Sequence, residues 1–238
     1  NNLYNDDCLL FKKNNKINIC FSFNKVRIVT NDNEYTSPVF IEKVQKICEE
    51  DRVKEFVIFT SVDSWGAQAE YIRNGLEFNR FWDNCHKVLE KCPKVILTYM
   101  VTYNALSVPN YDKLIRGVYD LKTQYGSDDR YWNSATFLDT SYLRHPKHQT
   151  VQVLEPHWAD KIYADAQLVD FLGVPLFEKE YIGYSDVEIQ KLKRTFDWMK
   201  SPIPEKQLET QRRNFGYYFR AHDDRRGTDF CATFPELE

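Results

Sequence analysis

The chain has 238 residues, of which 42% are hydrophobic and 15% aromatic, so its composition supports a large buried core. A formal net charge of -3 gives it no general attraction to nucleic acid or to anionic membranes, because both favour basic surfaces. The sequence contains no apolar run of membrane-spanning length, and its first residues do not resemble a signal peptide. We therefore predict a soluble cytoplasmic protein with no membrane or nucleic-acid partner.

Two strands and a helix are predicted in the first 50 residues. The strands cover residues 16–24 and 25–31, and the second strand ends in Thr30 and Asn31. A helix begins at Pro38, because proline is favoured at the first helical position. The inward stripe of that helix consists of Phe40, Val44, Ile47 and Cys48.

Two consecutive strand–loop–helix units follow, and in each the strand becomes polar at its carboxyl end. The units cover residues 56–92 and 95–125. A strand places every second side chain on the same face. One face of the first strand carries Val57, Phe59, Ser61 and Asp63. One face of the second carries Ile96, Thr98, Met100, Thr102 and Asn104.

The polar strand ends predict a binding site. Parallel α/β sheets and barrels bind their ligands at the carboxyl ends of their strands. We therefore predict a common hollow lined by Ser61, Asp63, Thr102 and Asn104. The alternatives are structural: Asp63 caps the following helix, while Thr102 and Asn104 satisfy the backbone of a turn.

Each of these strands is followed by an amphipathic helix. Apolar residues recur at three- and four-residue steps over residues 78–92, before Pro93, and over residues 111–125, before Gly126. Alternation of strand and helix is typical of parallel βα units. We therefore predict an α/β fold with parallel strands.

The elements after Gly126 are predicted as follows. Residues 127–150 form a long irregular connection, residues 150–154 a short strand and residues 158–172 a helix. Ser185 and Glu188 form a capping box that opens another helix. The last complete helix runs from Glu205 to about Phe219. A new helix is predicted to begin at Thr233, and we therefore interpret the chain as part of a longer barrel.

The six cysteines do not form a recognisable framework. No pair has the C-x-x-C spacing of a zinc or redox site, and Cys48, Cys85 and Cys92 fall on apolar helix faces. Buried free thiols in a reducing compartment are the favoured interpretation.

Three further features invite a functional interpretation, and each has a structural alternative that we favour. His145 and His148 are interpreted as surface residues rather than metal ligands, because no carboxylate or thiolate is in step with them. The Arg212-Arg213 and Arg225-Arg226 pairs have acidic neighbours and are interpreted as solvated salt bridges rather than phosphate contacts. Four aromatic residues are assigned to the core rather than to base stacking: Tyr131, Trp132, Trp158 and Trp198.

Several short segments resemble the radical S-adenosylmethionine (radical SAM) superfamily, specifically its twitch-domain-containing members. The similarity runs from about Val26 to the end of the chain. Its anchors, which are fairly specific in this order and spacing, are Thr30-Asn31, Ser61–Gly66, Glu70–Arg73, Thr102–Ser107, Tyr142–Pro146 with Val151–Leu154, and Asp224–Thr228 leading to Thr233–Leu237.

The resemblance implies a partial (β/α)6 TIM-like barrel that binds S-adenosylmethionine and a [4Fe-4S] cluster. Reductive cleavage of S-adenosylmethionine would give a 5'-deoxyadenosyl radical that abstracts a hydrogen from a small-molecule or peptide substrate. By position, Ser61 and Asp63 would face the cofactor, Thr102 and Asn104 would line the opposite side of its pocket, and Thr30 and Asn31 would lie next to them. An electron donor for the cluster is an implied partner.

The departures from the family pattern are also informative. The C-x-x-x-C-x-x-C cluster signature and the G-G-E segment are both missing from this sequence, and Asp32 replaces an expected glycine. Truncation of the amino-terminal strands is the preferred explanation, and a degenerate homologue that acts as a non-catalytic binding module is the alternative. We predict a partial barrel at residues 1–172, a helical extension at residues 173–238, and no catalysis by this chain alone.

Overall fold

The fold was analysed in a computed structural model that describes residues 17–22, 25–30, 38–50, 55–126, 134–173 and 183–237. Its strands are β1 (Ile17–Ser22), β2 (Lys25–Thr30), β3 (Glu55–Ser61), β4 (Val95–Tyr103) and β5 (Thr136–Tyr142). They form one sheet in the order β1-β2-β3-β4-β5. The β1–β2 pair is antiparallel, and every later pair is parallel. The α/β prediction is therefore confirmed.

Eight α-helices are present in the described part of the chain. They are α1 (Pro38–Glu49), α2 (Gly66–Ile72), α3 (Phe78–Lys91), α4 (Tyr111–Tyr125), α5 (Trp158–Phe171), α6 (Asp186–Lys200), α7 (Glu205–Arg226) and α8 (Phe230–Thr233). Short 3-10 turns occupy Val108–Asn110, Lys147–Gln149, Val151–Val153 and Pro235–Leu237. The apolar stripes predicted α3 and α4 closely because those stripes are the buried faces of the two helices.

Three predictions about the second half of the chain are wrong. Residues 127–150 contain strand β5, which the sequence analysis assigned to an irregular connection. The predicted strand at residues 150–154 is a 3-10 turn, in which Val151 and Val153 are buried without joining the sheet. Helix α7 continues past Phe219 to Arg226, where Gly227 ends it with a φ of 66°.

The main core lies between the sheet and the helices that cover one of its faces. On β4 that face carries Val95, Leu97, Tyr99, Val101 and Tyr103, all of which are buried. The stripes of α3 and α4 pack into the same core through residues such as Phe81, Leu89, Leu114 and Val118. Burial of this apolar surface is the main stabilising term of the fold.

Helix α6 closes the free edge of the sheet at β5. No strand among the described residues lies beyond β5, and the backbone N–H of Leu138 donates to Glu188 Oε1 at 2.7 Å. Lys122, on α4, donates to the carbonyl of Thr136 at 2.7 Å and lies 3.0 Å from Glu188 Oε1. An open sheet edge promotes pairing with other chains, and this arrangement covers it.

The predicted capping box supplies the carboxylate for this edge. Ser185 accepts from the backbone of Glu188, and Glu188 accepts from the backbone N–H of Ser185 at 2.8 Å, so the capping-box prediction is confirmed. Helix α6 lies in the segment predicted as a carboxyl-terminal extension, but it packs on β5 and its buried residues belong to the main core. The division of the chain at residue 172 stays a prediction.

Candidate functional site

The face of the sheet opposite the core becomes polar and open toward the carboxyl ends of the strands. Strand register places Ser61, Met100 and Asp139 side by side, and Thr102 next to Ser141. Deeper in the sheet this face carries Val57, Ile96 and Thr98, which are buried. In the outer rows Ser61 is half-buried, while Thr102 and Ser141 are exposed. The result is a covered floor beneath an open, hydroxyl-rich rim.

Asp63 joins the ends of β3 and β4. It follows β3 and is 4% exposed. Its Oδ1 accepts the backbone N–H of Thr102 at 2.7 Å, and Nη2 of Arg73 lies 2.8 Å from its Oδ2. Burial raises the pKa of Asp63, whereas Arg73 and the Thr102 N–H act in the opposite direction. The carboxylate therefore links two strands and the end of α2.

Asn104 builds the turn after β4. Its Nδ2 donates to the carbonyl of Thr102 at 2.8 Å, and its Oδ1 accepts the N–H of Leu106 at 3.0 Å. This is the turn-forming use of asparagine that the sequence analysis weighed as an alternative. The side chain of Thr102 is exposed on the rim, so the structural alternative applies to Asn104 and to the backbone of Thr102.

The structure thus brings only some of the predicted site residues together. Asp63 and Thr102 are in direct contact. Ser61 lies on the same face of the sheet, beside Met100, which precedes Thr102 by two residues on β4. Thr30 is the last residue of β2 and is in register with Thr60. Asn31 lies outside the described residues. A cofactor-binding role for these six residues stays a prediction.

Sequence reasoning missed the contribution of β5 to this face. Asp139 and Ser141 lie beside Met100 and Thr102, and Lys191 of α6 is 2.5 Å from Asp139 Oδ1. The signal was present in the sequence, because the segment Thr136–Tyr142 alternates between two faces and is rich in β-branched and aromatic residues. Asp139 and Lys191 add a charge pair to a rim that otherwise carries hydroxyl groups.

The loop after β3 is held by a cluster of aromatic rings. Trp65 packs edge-on against Phe78 and Trp82, with ring centroids 4.7 Å apart in each pair. Both tryptophans also lie over Gly117 of α4, where an added Cβ would be 2.7 Å from Cη2 of Trp65 and 2.9 Å from Cζ2 of Trp82. A side chain at residue 117 would therefore displace the loop that carries Asp63.

Replacing Gly117 with alanine is expected to lower the free energy of unfolding by about 1–3 kcal/mol, because the methyl group overpacks the site under Trp65. Gly216 of α7 is the matched control, since an added Cβ there meets nothing within 4 Å. Gly216→Ala should be neutral or stabilising by up to about 1 kcal/mol, as expected for alanine in an exposed helix. Urea denaturation measures both changes, and equal effects of the two substitutions would contradict the packing argument.

Helix α2 connects the loop after β3 to the start of α3 and to the carboxyl-terminal segment. Glu70 accepts the N–H of Phe78 at the start of α3, at 2.7 Å. Tyr71 donates to Asp223 Oδ1 at 2.8 Å, and Gln68 donates to the carbonyl of Thr233 at 3.2 Å. A second apolar cluster underlies these contacts and consists of Tyr71, Leu106, Phe219 and Phe234. Segments far apart in sequence therefore meet above the ends of β3 and β4.

Among the histidine and arginine features, His148 and Arg212 form contacts between α7 and the turns that follow β5. His145 is exposed, and the His148 ring lies 5.0 Å from that of Tyr218. Arg212 lies 2.9 Å from Glu155 Oε1, so this residue forms a salt bridge as predicted. It also donates to the carbonyls of Val153 and Leu154 and thereby holds α7 on a neighbouring turn instead of lying in a solvated loop. Among the residues that the structure describes, no group of three or more metal-ligating side chains could hold a metal ion.

Comparisons with known proteins do not assign the chain to a family. No family model, no curated protein and no solved structure matches it. Within the described ranges, no helix is long and apolar enough to cross a membrane.

Proposed function

We propose that this chain is part of a radical SAM protein and that its open sheet face contributes to binding S-adenosylmethionine. The observation that carries the proposal is the link from Asp63 to the backbone of Thr102 at the carboxyl edge of parallel strands. That link fixes the ends of β3 and β4 beside the hydroxyl groups of Ser61 and Thr102. Ligands of parallel sheets bind at this edge.

We also propose that the sheet is one sector of a partial (β/α)6 barrel. Support comes from the order of β2 to β5, which are parallel and sequential, with the core helices on one face. In a barrel of this kind the opposite face lines the lumen. The buried floor and polar rim of that face agree with such a role.

The meeting of separated segments gives further support. The segments Ser61–Gly66, Glu70–Arg73, Thr102–Ser107 and Thr233–Leu237 carry part of the resemblance. They contact each other through Asp63–Arg73, Asp63–Thr102 and Tyr71–Phe234. A ligand site built from these segments would therefore lie in one region of the fold, at the carboxyl edge of the sheet.

The described residues do not fit an iron–sulfur cluster. Cys48, Cys85 and Cys92 are buried among apolar helix residues, and Cys231 is exposed on α8. Three thiolates that converge on one cluster are not present among them. The proposal for this chain is therefore limited to binding and orienting S-adenosylmethionine, with hydroxyl groups of the rim as hydrogen-bond partners for its polar groups.

A binding module without catalysis is the second candidate. The specific observation in its favour is that both oxygens of Asp63 and both ends of the Asn104 amide are already used within the chain. These residues build the rim instead of facing a ligand. Among the predicted site residues whose side chains the structure describes, Ser61 and Thr102 remain available to it. Such a module would bind a polar small molecule without a cluster.

Titration calorimetry with S-adenosylmethionine tests the proposal. We expect saturable binding, and we expect the double substitution Ser61→Ala with Thr102→Val to weaken it about tenfold through loss of two hydrogen bonds. Thr123→Val, on the exposed surface of α4, is the matched control and should bind like the wild type. Absence of binding, or equal affinity of all three proteins, would contradict the proposed site.

A second measurement separates the enzyme from the module. A version of the protein extended upstream is incubated anaerobically with iron and sulfide. A charge-transfer absorbance and release of 5'-deoxyadenosine are the results expected of the enzyme. Binding of S-adenosylmethionine without either signal would favour the module.

A further inference from the structure

Two hollows lie between the turns that follow β5, the end of α6 and the start of α7. The apolar hollow has a volume of about 260 Å³, and most of its wall is formed by Leu154, Pro156, Ala159, Met199, Ile203 and Leu208. The polar hollow has a volume of about 190 Å³ and is lined by Lys147, Gln207 and Gln211, among others. Gln152, Ser201 and Ile203 line both hollows, which therefore adjoin each other.

The two hollows are separate from the polar rim of the sheet. Trp198 lines the polar hollow, and its ring stacks on that of Tyr142, the last residue of β5, with centroids 5.3 Å apart. Tyr142 and Ser141 are neighbours on a strand and therefore point to opposite faces of the sheet. A ligand in the hollows would not occupy the face that carries Ser61 and Thr102.

The polar hollow presents hydrogen-bond donors that the chain does not use. Lys147 is half-buried, with its Nζ 5.2 Å from the centroid of the Trp198 ring, and it forms no ion pair with a described carboxylate. The side chains of Gln207 and Gln211 form no hydrogen bond to any described residue. These two residues are four apart on α7, so their amides lie on one face of the helix.

The charges around the hollows favour an anion. None of the described residues that line either hollow is acidic. Arg212, at the edge of the apolar hollow, is already paired with Glu155 at 2.9 Å, which leaves Lys147 as the cation of the polar hollow. A mostly apolar cavity with a few polar groups is typical of small-molecule sites.

We propose that the two hollows form a binding site for a small carboxylate with an apolar body. The carboxylate accepts hydrogen bonds from Lys147 and from the amides of Gln207 and Gln211, while the apolar body occupies the neighbouring hollow. A hydrogen bond between an ammonium group and a carboxylate is stronger than one between neutral groups. One cation with two neutral donors suits a monoanion better than a doubly charged phosphate. This inference goes beyond the proposed binding of S-adenosylmethionine and does not depend on it.

Binding of cinnamate, an aromatic carboxylate, tests the site. Its uncharged analogue cinnamamide has nearly the same shape and serves as the matched ligand. We expect saturable binding of cinnamate in titrations followed by NMR, with shifts of the side-chain amide signals of Gln207 and Gln211. We expect cinnamamide to bind about tenfold more weakly, because it lacks the charge that Lys147 recognises.

Lys147→Met removes the cation and keeps most of the side-chain volume. It should weaken cinnamate binding about tenfold and leave cinnamamide binding unchanged. Lys206→Met is the matched control, because Lys206 is exposed in the first turn of α7 and does not line either hollow. If Lys147→Met fails to fold, the comparison of the two ligands on the wild type decides the matter.

Four results would overturn the proposal. The first is the absence of saturable cinnamate binding, and the second is equal affinity for cinnamate and cinnamamide. The third is an equal loss of cinnamate affinity in Lys147→Met and Lys206→Met, which would indicate a general effect of charge. The fourth is displacement of cinnamate by an equal concentration of inorganic phosphate, which would contradict the assignment to a carboxylate.

Discussion

Replacing Lys122 with methionine is expected to lower the free energy of unfolding by about 3–5 kcal/mol, the largest effect of any single substitution considered. Lys122 and Glu188 are 2% and 1% exposed at their side chains and form an ion pair across α4 and α6. Methionine keeps most of the side-chain volume but leaves the carboxylate of Glu188 buried without its cation. The carbonyl of Thr136 also loses its Lys122 donor.

The cost should be large because Glu188 cannot turn away to reach water. Its oxygens also accept from the backbone of Leu138 and Ser185, so the carboxylate is fixed at the edge of β5. Breaking a buried ion pair leaves an uncompensated charge in a region of low dielectric constant. The substitution therefore tests whether this pair holds α6 on the sheet.

Lys193→Met is the matched control for this prediction. Lys193 pairs with Asp170 at 2.9 Å on the surface of α6 and α5, where both side chains are about half exposed. Exposed pairs contribute about 0–1 kcal/mol. Guanidinium denaturation of both variants gives the comparison. A loss for Lys122→Met no larger than that for Lys193→Met would mean that the edge of β5 is held by packing alone.

Local patterns in the sequence predicted the elements whose boundaries are set by local chemistry. Helix α4 was placed at residues 111–125, and it occupies Tyr111–Tyr125, because Gly126 and the apolar stripe define it. The capping box at Ser185 was predicted for the same reason. Strand β5 carries an alternating pattern of β-branched and aromatic residues, but Asp139 and Ser141 interrupt its apolar character, and the sequence analysis therefore assigned it to a loop.

The contacts that complete the candidate site are long-range and could not be predicted from such patterns. Parallel strand ends were expected to bring Asp63 near Thr102, and the two residues are in contact. The partner of Asp63, Arg73, depends on how α2 ends, and that of Asp139, Lys191, depends on where α6 packs. The sequence predicted only the capping role of Glu188. Its ion pair with Lys122 joins α6 to α4, and no local pattern indicates that contact.

A second large effect is expected in the pH dependence of stability, through Asp165 of α5. Asp165 is 1% exposed, and burial raises its pKa to about 6, although Lys161 at 2.5 Å acts to lower it. Its pKa in the unfolded chain is roughly 3.9. The folded protein therefore holds this proton more tightly than the unfolded chain does.

The sign of the effect follows from that difference. Because the folded-state pKa is the higher one, the contribution of protonated Asp165 to stability is fully present below about pH 4 and is lost as pH rises through about 6. A difference of roughly two pKa values corresponds to about 3 kcal/mol. The wild type should lose that amount of its free energy of unfolding between about pH 4 and pH 7 through this residue.

Asp165→Asn removes the titrating group. Its free energy of unfolding should therefore increase relative to that of the wild type as pH rises. Urea denaturation at pH 4 and pH 7 should show the difference in free energy of unfolding between variant and wild type shifting by about 3 kcal/mol in favour of the variant. Asp170→Asn, whose side chain is 54% exposed in the native protein, controls for general effects of charge removal. A shift in the opposite direction would mean that the attraction of Lys161 outweighs burial, so that Asp165 is ionised in the folded protein at both pH values.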